Sequence, residues 1–457
     1  MFERTDALAS TPARETALAC LRAGVEAAHP ERVVAEAVSL SADALQVADA
    51  TYDLSGVDRI LVVGGGKAAD GVASALAAVL GDRLSGGAVV TPAPADAEGP
   101  VERLPGDHPV PSAAGVESTR RVRDLVADAD ERTLVLVAVT GGGSALLPAP
   151  AEGISLEALR ETTDALLDAG ADIEDLNAVR KHLSTLKGGG LARIAAPATV
   201  VGLAFSDVVG DDLGVIASGP TAPDRTTYAD ALDVLDRYGV EAPDAVRERL
   251  ERGAAGDLPE TPGADDPVFG RVENHVLASA YTALDAAAET ARDRGYEPCL
   301  LSSRVRGEAR EAARTHAAVA AEVAATGAPL DPPAVVLAGG ECTVTVRGEG
   351  TGGPNQEFAL SAALDLRGLG ERVALAAVDT DGIDGGSDAA GGLVDGTTLD
   401  TPSAVRRARM GLADSDAGGA LADLDALLVS GPTGTNVNDL RLAVIGADAG
   451  ADAEKDM

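Results

Sequence analysis

Two glycine-rich turns carry the most specific chemistry in this chain. Leu61-Val62-Val63 runs into Gly64-Gly65-Gly66-Lys67-Ala68-Ala69, and Val137-Ala138-Val139 runs into Thr140-Gly141-Gly142-Gly143-Ser144. A glycine-rich turn that opens a helix presents backbone N–H groups and the positive helix end to an anion. Lys67 would add a compact ammonium and Ser144 a hydroxyl. The first turn fits the loose dinucleotide pattern G-x-G-x-x-A. That pattern also wants an acid about 20 residues on for the ribose, and the next strand ends at Thr91-Pro92 without one. The Walker A pattern fails because Ala68 follows Lys67, and the nucleophile elbow G-x-S-x-G fails at Leu146. What remains is phosphate binding by Gly64, Gly65, Gly66, Gly141, Gly142, Gly143 and Ser144. The competing reading is two tight strand-to-helix turns.

Acidic turns follow two other apolar runs. Asp207 lies in Phe205-Ser206-Asp207-Val208-Val209-Gly210-Asp211-Asp212, and Asp379, Asp381 and Asp384 lie in Asp379-Thr380-Asp381-Gly382-Ile383-Asp384. Mg²⁺ takes one or two carboxylates together with substrate phosphates and water. In an acidic chain such runs are more often solvated surface, so their place at strand ends is what marks them. His108, in Gly106-Asp107-His108-Pro109, is one of five histidines. Leu176 to Gly190 is a basic island with Arg180, Lys181 and Lys187, and Asn177 stands at its start. Arg180 and Lys181 suit a carboxylate or phosphate. Cations at a helix C-terminus capped by Gly188 are the plainer reading of Lys187. Gly431 to Asp439 is a polar cluster of turn residues.

These residues need scaffolding, and the hydrophobic pattern supplies an α/β class with parallel strands. Residues 11–28 and 31–48 read as alanine-rich helices, as does 275–294. Buried strands are expected at 60–63, 87–91, 133–139, 199–205, 335–337 and 372–378, with 343–346 as one strand of a hairpin. Composition shifts at 240–270, and residues 253–268 are rich in Gly, Pro, Asp and Glu, as linkers and surface loops are. The expected domains are therefore 1–245 and 246–457, with 253–268 a linker or surface loop.

The chain has 457 residues and 73 Asp+Glu against 37 Lys+Arg, a formal net charge of −36. That balance excludes nucleic-acid backbones and anionic membranes as partners. Three cysteines far apart write no disulfide framework and no CxxC metal site. No apolar run is long enough to span a bilayer, and the first 30 residues lack a signal core, so a cytoplasmic protein is expected. Only four of the basic residues are Lys, there is no Trp, and the acids are spread along the whole length. Scattered carboxylates, scarce Lys and small apolar side chains suit a cytosol of molar salt, where self-repulsion is screened; the source is expected to be a halophilic archaeon.

Taken in order, the motifs resemble the type II glycerate kinases, the glycerate 2-kinases with a C-terminal MOFRL domain. The resemblance runs from about residue 12 to 446 and rests on Val63 to Ala68, Gly106 to Pro109, Thr140 to Ala145, Leu176 to Gly189, Ser206 to Asp211, Ser218 to Thr221, Gly339 to Glu341, Asn355 to Glu357, Thr380 to Gly385 and Gly431 to Asp439. It implies a Rossmann-like α/β/α sandwich, a second, smaller α/β domain and an active site in the cleft between them. It implies ATP- and Mg²⁺-dependent phosphorylation of D-glycerate at the 2-hydroxyl, giving 2-phosphoglycerate and ADP, and leaves a homodimer open. In that setting Lys67 would stabilise the transferring phosphoryl and Asp207 would bind Mg²⁺ or orient the hydroxyl. Arg180 would take the carboxylate, with His108 and Asn177 nearby. Asp379, Asp381 and Asp384, with Asn355, would form the opposite wall. Relatives commonly carry Arg just before Asn-Gln-Glu; this chain has Pro354, so Arg347 or Arg180 must replace that cation or the substrate differs. Relatives are also labelled hydroxypyruvate reductases, a reading the missing ribose acid opposes. A non-catalytic nucleotide or sugar-acid binding protein is the other alternative.

Overall fold

The computed structural model describes residues 1–94 and 99–447. The chain forms two compact units, one of Pro30–Leu277 and one that joins Met1–His29 to the chain from Ala278 onward.

In the first unit the helix Pro30–Ala37 is followed by a small antiparallel meander, β1 (Val38–Leu40), β2 (Ala44–Val47) and β3 (Ala50–Asp53). Its main sheet comprises β4 (Arg59–Gly65), β5 (Leu84–Thr91), β6 (Val101–Pro105), β7 (Thr133–Thr140), β8 (Thr199–Phe205) and β9 (Val272–Ala278). The spatial order is β6-β5-β4-β7-β8-β9, and the pairs from β6 to β8 are parallel. Parallel strands covered by helices on both faces are apolar throughout; all eight residues of β7 are buried. This is the doubly wound order of the Rossmann fold, in which strand order reverses once. Here it reverses between β4 and β7, and ligands of such sheets bind beyond the strand ends at that reversal.

The second unit contains β10 (Glu297–Glu308), β11 (Ala334–Thr343), β12 (Val373–Asp379), β13 (Gly391–Asp395), β14 (Leu427–Leu428) and β15 (Asp439–Ile445). Their order is β10-β11-β15-β12-β13-β14, with β10 and β11 parallel and the rest antiparallel. Side chains alternate between faces along a strand. Ala443 and Ile445 of β15 join a core with the helices Ala309–Thr326 and Pro354–Asp365. Leu440, on the other face, meets Gly24 of the helix Pro12–Ala27, where a Cβ would fall 2.6 Å from it.

Several expectations are corrected. The division at residue 245 is wrong at both ends. The helix Pro12–Ala27 packs on β15, β12 and the helix Ala280–Asp293, so the N-terminus belongs with the C-terminal unit. Residues 246–277 belong to the first unit, because β9 is a member of its sheet. Of the two readings of 253–268, the surface loop holds and the linker does not: it is a mostly exposed, largely irregular stretch of the first unit, where Glu260 accepts from the Tyr228 N–H and from Arg193 at its carbonyl. The expected helix at 31–48 stops at Ala37. The meander follows, with Leu45 and Val47 alternating inward as a strand requires. His275 lies in β9, and the helix after it starts at Ala280, capped by Ser279. Thr343 ends β11 rather than opening a hairpin.

The N-terminal helix is fastened by charge as well as packing. Arg14 pairs with Asp395 and donates to Thr398 Oγ1 at 3.0 Å, with both partners of the pair almost fully buried. Burial alone would raise the Asp395 carboxyl, but Arg14 and Thr397 hold it below its ordinary value. Removing one member of a buried pair leaves an uncompensated charge. Arg14→Met is expected to lower the stability of the full chain by about 3–5 kcal/mol, read as an earlier urea midpoint. An unchanged midpoint would show that the N-terminal helix is not anchored to this unit.

Candidate functional site

At the reversal of strand order the two glycine turns lock to each other. The Lys67 N–H donates to the Gly141 carbonyl at 2.8 Å, the Ala68 N–H to Thr140 Oγ1 at 3.2 Å, and the Gly66 N–H to the Val90 carbonyl at 3.0 Å. These bonds correct the expected phosphate cradle at Gly64, Gly65 and Gly66. Gly64 and Gly65 are still in strand β4. A Cβ at Gly64 would sit 2.0 Å from the Ala138 carbonyl oxygen, and one at Gly66 2.0 Å from Thr140 Oγ1. The glycines are there so that β4 and β7 can approach, and their φ values of +137° and +140° suit no other residue.

The second turn keeps its candidacy. Gly142 has φ +78° and precedes the short helix Gly143–Leu146. A Cβ on it would lie 3.0 Å from His108 Cδ2 and 3.3 Å from Lys67 Cγ. His108 and Lys67 therefore converge over Gly142, two expected site residues that are 41 positions apart in the chain.

Beside them is a cavity of about 300 Å³ lined by His108, Ser144, Arg160, Asp164, Arg180 and Lys187 among others. Lys187 is only 3% exposed and donates from Nζ to the Ser144 carbonyl at 2.8 Å and the Leu147 carbonyl at 3.5 Å. Burial, then the charge of Arg180, pushes its ammonium down to about 7. Burial likewise pulls Arg180 below its ordinary value, opposed by Asp164. Among the described residues Arg180 has no hydrogen bond and no ion pair. The Ser144 hydroxyl meets that of Ser218 at 2.8 Å, and Ser218 donates to Asn177 Oδ1 at 2.8 Å. Asn177 Nδ2 is buried with no hydrogen-bond partner among the described residues. The arrangement can hold an anion beside a lysine and a histidine.

A larger cavity of about 660 Å³ has Asn177, Lys181, Asp211, Asp212 and Asn274 in its wall. Lys181 is not a spare cation: it is buried and paired with Asp224 at 3.2 Å. Asp207 sits just past the carboxyl end of β8 and is partly buried.

In the second unit the expected metal group separates into different roles. Asp379 Oδ1 accepts from the Asp381 N–H at 3.0 Å and Asp381 Oδ1 from the Ile383 N–H at 2.8 Å, both shaping the turn after β12. Asp384 is 1% exposed and accepts from the N–H groups of Asn355 and Gln356 at 3.0 and 2.8 Å. It caps the helix Pro354–Asp365 from outside the helix, which corrects its assignment as a metal ligand; burial pushes its carboxyl up to about 7. Asn355, expected to bind substrate, is also buried. Its amide donates to Asp439 at 2.7 Å and Asp384 at 3.2 Å, so it holds acids in place. Pro354 occupies the first turn of that helix, where a missing N–H costs nothing. Among the described residues no group of three His, Cys, Asp or Glu side chains is placed to hold a metal.

Sequence reasoning missed three features. Ala217 and Ser218 adopt φ of +49° and +62° to bring Ser218 under Ser144, and nothing in their residue types signals it. The basic island already grouped Arg180 with Lys187, but not the cavity wall they share or the burial of Lys187. Arg441 was readable: it is a lone charge inside the apolar run of β15, fully buried, paired with Asp439, and 5.1 Å from the centre of the Phe358 ring.

The low value at Lys187 sets a direction for stability. Between about 7 and its ordinary value of about 10 the unfolded chain holds one more proton at this position. Stability is therefore expected to gain from this group as pH rises through that window, and Lys187→Met should flatten the gain. Denaturant midpoints at pH 7, 8 and 9 that change equally in both proteins would contradict a neutralisable Lys187.

The chain resembles known proteins along nearly all its length. Residues 16–251 match a domain of unknown function, DUF4147, and residues 334–439 match the MOFRL family. The chain is 41% identical to a D-glycerate 2-kinase of Thermotoga maritima over 436 residues, 94% of this chain and 98% of that protein. It is 38% identical to a glycerate 2-kinase of Pyrococcus horikoshii, over 96% of this chain and 98% of that one. A putative hydroxypyruvate reductase of Agrobacterium vitis is 42% identical over 85% of this chain and 87% of its own length. The crystal structure of the Thermotoga maritima glycerate kinase superposes with a TM-score of 0.82, covering 94% of this chain and 99% of that chain. With both domain matches and near-complete alignment to named kinases, the chain belongs to the glycerate kinase family that carries a MOFRL domain.

Proposed function

We propose that this protein transfers the γ-phosphoryl group of ATP to the 2-hydroxyl of D-glycerate, giving 2-phosphoglycerate and ADP. The observation that carries the reading is the convergence of Lys67 and His108 over Gly142, beside a cavity in which Arg180 and Lys187 have no carboxylate partner among the described residues. Phosphoryl transfer needs positioning and charge neutralisation more than covalent help from the protein. Lys67 would neutralise charge on the transferring group. The turn Gly141 to Ser144 would face the phosphates, and the carboxylate of glycerate would enter the cavity of Arg180. Mg²⁺ would arrive as part of the MgATP substrate, which asks the protein for only one or two carboxylates. Asp207, just past the end of β8, is the candidate in the first unit. The reductase reading has less support, since the glycines of the dinucleotide-like turn are explained by strand packing and no acid ends β5.

The test is an assay with ATP and D-glycerate coupled directly to enolase, which consumes the 2-phospho product without a mutase. Signal is expected from the unmodified protein. Lys67→Ala should lower kcat by roughly 100-fold or more while the fold is retained. Normal turnover by a folded Lys67→Ala protein would remove Lys67 from the mechanism, and NADH oxidation with hydroxypyruvate would favour the reductase.

The net charge of −36 supports a cytoplasm rich in salt as the working medium. Both substrates are anions, so the chain's field opposes their approach until salt screens it. Activity is expected to rise with KCl into the molar range. Highest activity at low salt would count against that origin.

A further inference from the structure

The cavity walled by the His108–Pro111 turn, the Gly142–Ala145 turn and the helix Leu156–Asp168, with Arg180 and Lys187, holds an electrostatic imbalance that the chain as a whole does not share. Arg180 and Lys187 are both in its wall and close enough for the charge of Arg180 to act on Lys187. Elsewhere the structure pairs its buried cations: Lys181 with Asp224, Arg14 with Asp395, Arg441 with Asp439. Here neither cation has a carboxylate partner among the described residues, and Asp164 is an exposed residue that acts on Arg180 only through its field. A desolvated cation without a counter-ion is costly, and two together more so. An ammonium has three donors, and the carbonyls of Ser144 and Leu147 occupy two.

We propose that Lys187 and Arg180 together form the clamp for the carboxylate of the acceptor substrate, and that anion binding and protonation of Lys187 are one linked event. The inference rests on the kinase reading and extends it to a residue and a proton. In the free protein burial and Arg180 leave Lys187 largely neutral above about pH 7. An incoming carboxylate supplies the missing counter-charge, favours the ammonium, and draws one proton from solvent onto Nζ. The proton forms an N–H bond and no other bond changes. Other groups near Lys187 are His108, Arg160 and Asp164 around the same cavity, and Lys181, Arg193, Arg249 and Glu260 around a smaller one of about 230 Å³ that Lys187 also lines. Of these only His108 ordinarily titrates near neutrality. A proton taken up by His108 would therefore be the main competing signal.

The experiment is titration calorimetry of the full chain with D-glycerate alone, without ATP, in buffers of different ionisation enthalpy at pH 6, 7 and 8. Uptake is expected to approach one proton per glycerate at pH 8 and to fall steeply by pH 6. Lys187→Arg keeps the charge and should bind glycerate with no uptake at pH 8. Lys187→Met should weaken glycerate binding roughly 10- to 100-fold. Binding without proton uptake at pH 8, or uptake that persists in Lys187→Arg, overturns the proposal. The enolase-coupled assay separates the two readings: turnover without uptake leaves the kinase and removes the clamp, and uptake without turnover leaves the clamp and removes the kinase. If glycerate does not bind without ATP, the clamp falls, and turnover alone decides the kinase.

Discussion

The close approach of β4 and β7 is the constraint on which the first unit's chemistry depends. Two parallel strands at the centre of a doubly wound sheet must run side by side and then send their chains to opposite faces. Gly64 and Gly66 permit this, because a Cβ at either would fall 2.0 Å from an oxygen of β7. The bond from the Lys67 N–H to the Gly141 carbonyl then ties the two departing turns together. With that bond in place, the Lys67 stem and the His108 ring both come to rest over Gly142. The glycines thus act through geometry. They let the strands approach and so set where the Lys67 stem lies.

Charge is arranged on two scales. Over the whole chain acids outnumber bases about two to one, and exposed carboxylates dominate a field that salt screens within a few ångströms in molar solution, by roughly 3 Å at 1 M. Inside the cavity the sign is reversed, because Arg180 and Lys187 sit behind low-dielectric walls where screening is weak. An anion can therefore be attracted locally by a protein that repels it at distance. This also explains why Lys181, next in sequence to Arg180, has a separate fate. Successive residues on a helix face different directions, and Lys181 turns to Asp224.

The second unit spends its most distinctive residues on order. Asn355, Asp384, Asp439 and Arg441 form one buried polar network joining the start of the helix Pro354–Asp365 to the first residues of β15. Asp384 satisfies N–H groups that a helix start leaves unpaired. Arg441 balances Asp439 beneath the Phe358 ring. These motifs, Asn355-Gln356 and Asn438-Asp439, look like site residues in the sequence because they are polar and close to glycines. Their burial shows that they fix the loops around them.

By itself the sequence determined the α/β class, most strand positions and the family, since apolar runs and ordered glycine motifs are local patterns written in consecutive residues. It also placed Lys67, His108, Ser144 and Arg180 among the residues to watch. Tertiary structure alone decided which units the segments belong to: the helix Pro12–Ala27 joins a sheet whose strands lie more than 250 residues away, and no local pattern records a contact at that distance. Tertiary structure also sorted one acid from another. Asp384 became a cap while Asp379 and Asp381 shape a turn, because the same carboxylate answers whichever donors the fold brings to it. Lys187 followed the same rule. As a residue it is a helix-end cation; only the fold buries it beside Arg180 with no carboxylate partner among the described residues, and so lowers its affinity for a proton.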